Sequence, residues 1–140
     1  MRLHLSALVF AMSAAAMSAA AVSAQEAPGP GVSVELNRID QLDGACRLTF
    51  MVENGLGADL AALSLETVLI DAGGVVERLT LFEFGALPAG TPRVRQFDIP
   101  GLSCDALGRV LINGVAECGG AADCADALRL RTRTDVEVIG

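Results

Sequence analysis

Apolar and polar residues alternate in short segments along this 140-residue chain, from residue 32 to residue 140. In the segments 32–39 and 46–53 every second side chain is apolar, which is the period of a β-strand with one buried face. Gly, Asn and Asp separate such segments, and Asp-Ala-Gly-Gly at 71–74 is typical of a β-hairpin turn. The pattern predicts a small all-β protein.

Seven strands follow from this pattern, and a single helical turn is expected at 103–107. The strands are expected at 32–39, 46–53, 63–71, 75–84, 93–99, 109–117 and 128–138. Short strands with frequent turns in this number predict an antiparallel β-sandwich with immunoglobulin-like topology. The in/out pattern changes near Leu81 and Phe82, which predicts a β-bulge or a strand that crosses between sheets in this region. One domain is expected over 32–140.

The N-terminal 24 residues have the features of a secretory signal peptide. Arg2 is followed by an uncharged run of apolar and small residues at 5–21, and 22–24 (Val-Ser-Ala) fits the small-x-small cleavage pattern. The alternative is a transmembrane anchor, but Ala and Ser dilute the run, which is shorter than the ~20 strongly apolar residues that a span needs. We therefore expect a signal helix cleaved after Ala24 by a Sec-type pathway, a Pro/Gly leader at 25–31, and no membrane span in the mature protein.

The mature chain lacks the side chains on which most catalysis and metal binding depend. It contains no Lys, Trp or Tyr, and the single His, His4, lies in the predicted signal peptide. Serine nucleophiles therefore have no His or Lys to activate them, which excludes common triads and Ser–Lys dyads. Without Arg2, nine basic residues stand against 17 acidic ones, a formal charge of −8 that disfavours nucleic acid as a partner. No catalytic residue, cofactor or metal ligand is predicted.

Four cysteines, all in the mature part, indicate two disulfides in an exported domain of this size. They are Cys46, Cys104, Cys118 and Cys124, and sequence alone leaves all three pairings open. In an immunoglobulin-like sandwich the second and fifth strands are antiparallel neighbours, which favours Cys46–Cys104 and leaves Cys118–Cys124 to close a short loop. A zinc site is disfavoured because there is no Cys-x-x-Cys and no His. A redox-active pair at Cys118 and Cys124 is the alternative, but the acidic neighbour Asp123 does not favour the thiolate that redox catalysis needs.

Three arginines occupy one face of the last predicted strand, 128–138. Arg129, Arg131 and Arg133 stand at alternate positions, about 7 Å apart along a strand. One interpretation is a docking surface for an envelope protein or another anionic partner. The other is cross-strand pairing with the carboxylates of a neighbouring strand. Calcium binding by the loops 40–44 and 54–59 is a weaker hypothesis, because Asn, Asp and Gly also form ordinary turns.

A family resemblance is carried by the middle of the chain. Gly-Ala-Cys-Arg-Leu-Thr-Phe at 44–50 leads to Glu-Asn at 53–54, and Leu-Pro-Ala-Gly at 87–90 precedes Arg-Val-Arg-Gln-Phe-Asp-Ile at 93–99. Over 32–118 this arrangement resembles small exported bacterial β-sandwich proteins of unknown function, of the fibronectin-III-like and FxLYD-type extracytoplasmic modules. The resemblance implies an extracytoplasmic β-sandwich and supplies no catalytic residues.

These observations predict a non-enzymatic periplasmic or secreted β-sandwich domain that serves as a protein-interaction or accessory module of the cell envelope. The alternative is a thiol-disulfide-active or carboxylate-dependent hydrolytic enzyme. Candidate carboxylates such as Glu77 and Glu83 carry no motif, and the Trp and Tyr platforms that accompany sugar substrates are absent from the sequence.

Overall fold

Eight β-strands form two four-stranded sheets in the computed structural model, which describes residues 30–120 and 124–140. The strands are β1 (Val32–Leu42), β2 (Ala45–Asn54), β3 (Leu60–Asp71), β4 (Val76–Leu87), β5 (Arg93–Pro100), β6 (Leu107–Cys118), β7 (Leu128–Thr132) and β8 (Glu137–Ile139). The predicted signal peptide, its cleavage site and most of the leader lie outside the described residues. No helix in the described ranges has the length and hydropathy to cross a membrane.

The two sheets enclose one apolar core and give the all-β sandwich that the alternating pattern predicts. Sheet A has the strand order β5-β2-β1-β7, and sheet B has the order β4-β3-β6-β8. The expected neighbours β2 and β5 are antiparallel, with Cys46 opposite Ile99. The sandwich is not antiparallel throughout, because β7 runs parallel to β1 and β8 runs parallel to β6.

The prediction of a single last strand at 128–138 is wrong. The chain leaves sheet A at the end of β7, bends, and joins sheet B as β8. Threonine hydroxyls hold the bend: Thr132 Oγ1 accepts from the Thr134 amide at 3.0 Å, and Thr134 Oγ1 accepts from the Val136 amide at 3.1 Å. Val136 is buried in the core within this bend, so the alternation continues through it and conceals the change of sheet.

The irregularity predicted near Leu81 and Phe82 lies slightly further along β4. The pairing of β3 with β4 is continuous from Arg78 to Glu83, and its register shifts between Glu83 and Gly85. Phe82 faces the core, whereas Leu79 and Leu81 lie on the outer face of sheet B. The alternation of apolar and polar residues is lost near Leu81 because apolar residues occupy both faces of β4.

Four phenylalanines close the core on the side where β4 and β5 form the edges of their sheets. The ring centroid of Phe50 on β2 lies 5.7 Å from the ring centroids of both Phe82 and Phe84 on β4. Phe97 on β5 stacks on Phe82 at 4.2 Å. Offset and edge-to-face ring pairs contribute about 0.5–1.5 kcal/mol beyond the burial of their area. The aromatic cluster therefore fastens the two sheets together.

Arg95 covers part of the free edge of β4 beside the aromatic cluster. Its Nε donates to the carbonyl of Phe84 at 2.6 Å, and a terminal nitrogen donates to the carbonyl of Ala86 at 3.2 Å. An edge strand with free backbone groups invites pairing with another chain, and a charged side chain placed on it opposes this. The contact makes β4 a poor site for strand addition near these residues.

Both disulfides join the pairs that the strand order favours, Cys46 with Cys104 and Cys118 with Cys124. The first links β2 to the 3₁₀ turn Cys104–Ala106, which agrees with the helical turn expected there. The second closes a short loop between the end of β6 and the turn before β7. Two disulfides in a domain of this size indicate an oxidising compartment outside the cytoplasm.

Candidate interaction surfaces

The three predicted arginines fall on and just after β7, at one edge of sheet A. Arg129 lies opposite Ser33 and Arg131 lies opposite Glu35, so both project from the outer face of that sheet. Arg133 stands in the bend beyond β7, where its Nε forms an ion pair with Glu35 Oε1 at 2.8 Å. The structure therefore brings the stripe together and gives one arginine the carboxylate partner expected from cross-strand pairing.

The other two arginines differ in what they contact. Arg129 donates to the carbonyls of Asp126 at 3.1 Å and Leu128 at 3.0 Å, which holds the turn that precedes β7. Arg131 makes no hydrogen bond or ion pair within residues 30–120 and 124–140. In the predicted docking surface, Arg133 is thus paired with a carboxylate and Arg129 supports the backbone. Arg131 has neither kind of contact and lies opposite Glu35.

Glu35 is the acidic centre of this edge. Burial acts to raise the pKa of Glu35, but hydrogen bonds from Asn37 and Arg133, with the charges of Arg133 and Arg131, outweigh it and hold the pKa below its ordinary value. The Asn37 amide donates to Glu35 Oε1 at 2.9 Å. The carboxylate is therefore ionised at neutral pH and neutralises part of the arginine stripe.

Polar side chains elsewhere on the outer face of sheet A also pair with one another. Arg47 and Asp98 form a bidentate contact between β2 and β5, at 2.7 and 2.9 Å, and these hydrogen bonds lower the pKa of Asp98. Arg38 pairs with Asp40 at 2.8 Å along β1. Most of the charges on this face are thus matched, and among the described residues its exposed large apolar side chains are the single cross-strand pair Met51 and Val94.

The outer face of sheet B has the opposite character. A row of apolar side chains crosses all four strands, because Leu79 lies opposite Val68, Val68 opposite Leu111, and Leu111 opposite Ile139. None of the four belongs to the core cluster, whereas Leu69, Val110 and Ile112, which adjoin Val68 and Leu111 in the chain, do. Leu79 is 70% exposed and Ile139 is 39% exposed. Water therefore contacts the two ends of this row, Leu79 and Ile139, whereas Val68 between them is 7% exposed.

Further apolar residues extend this row along the strands on both sides. Leu81 is 47% exposed on one side, and on the other Val76, 55% exposed, lies opposite Ile70. We name the whole set the apolar belt. It consists of Val68, Ile70, Val76, Leu79, Leu81, Leu111 and Ile139.

Three glutamates border one side of the apolar belt. Glu83 and Glu117 both lie opposite Ser64, and Glu66 lies opposite Leu81. These three glutamates, which we call the acidic end, form no ion pair with any described residue. The cation next to the opposite side of the belt, Arg109, is paired with Glu137 at 2.8 Å.

Sequence reasoning missed the apolar belt. A signal for it was present in the continuous apolar run of β3 and in the change of pattern at Leu81 and Phe82. A strand that is apolar on both faces is normally covered on both sides. The described residues supply no cover for the outer side of sheet B.

Three of the four Asp and Asn side chains in the loops considered for calcium use their oxygens within the fold. Asn54 is fully buried, and Asp59 accepts a hydrogen bond from the Ala89 amide at 2.9 Å. Asp40 is paired with Arg38. No group of three or more His, Cys, Asp or Glu side chains in the described ranges is arranged to hold a metal ion.

A cleft of about 480 Å³ opens between β6, β7 and β8 on the side opposite the aromatic cluster. Its walls are mainly aliphatic, from Ile112, Val115, Leu128 and Leu130, and among the described residues no Asp, Glu, Arg or Cys side chain lines it.

Comparison with known proteins finds no matching family model, no matching curated protein and no matching solved structure. The function must therefore be argued from the residues of this chain.

Proposed function

We propose that this chain is a non-enzymatic domain of the cell envelope, exported to the periplasm or beyond, that binds another protein through the apolar belt. The observation that carries the proposal is the unbroken apolar row from Leu79 to Ile139 across sheet B. The largest exposed apolar patch on a monomeric protein is often its functional one, and at interaction sites polar residues border it. The glutamates of the acidic end form such a border.

The contrast between the two outer faces supports the choice of sheet B. Charged groups on sheet A pair mostly with each other, as Arg47 does with Asp98, and such surfaces remain stable in water without a partner. The apolar belt has no corresponding arrangement within the described residues. Covering it removes apolar surface from water, at about 25 cal/mol per Å².

Export is supported by the signal-like N-terminus and by the two disulfides. The neighbouring positions of β2 and β5 favour an immunoglobulin-like arrangement, and the parallel pairing of β8 with β6 departs from it. The resemblance to exported β-sandwich modules supports the same compartment and the same class of function.

A second contact, to an anionic group, is favoured by Arg131, which lies opposite Glu35 and makes no hydrogen bond or ion pair among the described residues. It projects from the edge of sheet A beside Arg129, and both side chains are exposed. A partner that covers sheet B and also reaches this edge would find a carboxylate or phosphate site there.

Capture of partners by the mature protein from envelope extract tests the proposal. The variant Leu79→Thr/Leu81→Thr removes the two most protruding leucines and keeps β-branched residues that suit a strand. Val94→Thr is the matched control, because Val94 is 55% exposed on the outer face of sheet A.

We expect the native protein and the control to retain the same proteins, and the belt variant to lose them. Undiminished capture by the belt variant would contradict the proposal.

A further inference from the structure

We infer that the apolar belt receives a single protein segment whose apolar side chains are followed by Lys or Arg, with the basic residues placed over the acidic end. This inference rests on the proposed function and names the class of partner. Three properties of the face carry it: the size of the belt, the position of its uncompensated carboxylates, and the absence of a free cation beside them among the described residues.

The size of the belt fits one segment. Four strands at a spacing of ~4.8 Å span roughly 14 Å, and the six residues from Val76 to Leu81 span roughly 17 Å. The resulting patch of about 240 Å² is far below the ~800 Å² that each partner contributes to an interface of standard size. A helix of about 10 Å diameter or one extended strand covers such a patch, whereas a large rigid domain would extend well beyond it.

The acidic end determines the charge of that segment. Glu66, Glu83 and Glu117 meet at the side of the belt that Leu81 borders, and none has a cationic partner in the described ranges. Covering the belt with a purely apolar segment would draw these carboxylates out of water without compensation, which is costly. Lys or Arg in the segment offsets the cost of this desolvation by forming charge-assisted hydrogen bonds with the carboxylates.

The same charges argue against two other occupants. A second copy placed face to face brings another acidic end and offers only Arg109, which is already bound to Glu137. An anionic membrane surface repels the three glutamates, since like charges raise the energy of approach. Complementarity of charge therefore favours a basic segment of a different protein.

A random linear-peptide display library, selected on the immobilised, disulfide-bonded mature protein, supplies the probe. We expect the enriched peptides to contain a short apolar stretch adjoining Lys or Arg. The most enriched peptide is then synthesised with a fluorophore, and its dissociation constant is measured by anisotropy. Four variants are compared: Leu79→Thr/Leu81→Thr at the belt, Glu83→Lys/Glu117→Lys at the acidic end, and the sheet A controls Val94→Thr and Glu53→Lys.

Both test variants should weaken binding by roughly tenfold or more, the usual effect of truncating an interface hot spot. The two controls should bind as the native protein does. The effect of the Glu83→Lys/Glu117→Lys change should shrink as salt rises from about 0.01 M to about 1 M, where the screening length falls from about 30 Å to about 3 Å. Circular dichroism establishes that each variant is folded, and Leu81→Thr alone replaces the double belt variant if that one is not.

The outcomes separate the two claims. Loss of binding in the belt variant with no loss in the acidic-end variant overturns the basic segment and leaves the proposed function standing. Undiminished binding in the belt variant overturns both. Enriched peptides without a basic bias, no enrichment over the blank surface, or a dimer that the belt variant dissociates in light scattering each overturn the inference.

Discussion

Replacing the buried amide of Asn54 with a carboxylate should strongly destabilise the domain. The side chain ends β2, is fully buried, and connects three segments. Its Nδ2 donates to the carbonyls of Ala58 at 2.7 Å and Leu87 at 2.9 Å, and its Oδ1 accepts from the Leu56 amide at 3.0 Å. All hydrogen-bonding groups of the amide are therefore used.

The variant Asn54→Asp keeps the shape and removes both donors. Each carbonyl that loses its partner in a buried setting costs about 1–3 kcal/mol, and an ionised oxygen then faces the carbonyl of Leu87. We expect a loss of about 3–5 kcal/mol at neutral pH, a large fraction of the 5–15 kcal/mol that typically stabilises a small domain.

The loss should depend on pH. Burial favours the protonated carboxyl, so the pKa of the introduced Asp rises in the folded state above its unfolded value of about 3.9. The folded state then binds the proton more tightly, and the deficit relative to the native protein grows as pH rises through the folded pKa and is smallest below about pH 4.

Urea unfolding followed by far-ultraviolet circular dichroism measures this effect, since the chain has no Trp or Tyr for fluorescence. The curves are compared at about pH 4 and about pH 7 on either side of the expected titration. A loss below about 1 kcal/mol at neutral pH, or a deficit that does not change with pH, would refute the assignment of Asn54 as a clamp.

Three further predictions concern export, the disulfides and the arginine stripe. The intact mass of the exported protein should match a chain that begins at Gln25. A mass that includes the preceding residues would show that the signal is not cleaved there. The free energy of unfolding should fall more in Cys104→Ala, about 4 kcal/mol, than in Cys124→Ala, about 2 kcal/mol, because the closed loops span 58 and 6 residues; equal losses would contradict this. Changing the three arginines of the stripe to Ser should abolish binding of an anionic partner with little loss of melting temperature, and an NMR titration should show the pKa of Glu35 rising. A carboxyl group whose pKa is lowered in the folded state, such as Glu35, stabilises the fold above its unfolded pKa and not below it. The small difference in stability between the native protein and the arginine variant should therefore vanish at acidic pH.

Local patterns in the sequence predict most strands and both disulfides. Alternation identifies β1 and β2 because each has one buried face, and Asp71 identifies the next hairpin because its side chain accepts from the amides of Gly73 and Val75. The pairing of Cys46 with Cys104 follows once β2 and β5 are neighbours. These features depend on residues close in sequence or on a common strand order.

The features that sequence did not predict depend on contacts between distant segments. The alternation from Leu128 to Val138 is the same whether the chain stays in one sheet or crosses to the other, because Val136 is buried in either case. The apolar belt arises only when the outward residues of β3, β4, β6 and β8 are aligned in one register. Each of these strands alone reads as an ordinary apolar segment.

Photo-crosslinking in the intact envelope shows whether a partner docks on the apolar belt. A photoreactive amino acid replaces Leu79 in the apolar belt or, as the control, Val94 on sheet A, and the exported protein is irradiated in living cells. The account predicts a discrete protein adduct from position 79 and none from position 94. The absence of an adduct at position 79, or the same adduct from both positions, would contradict docking on the apolar belt.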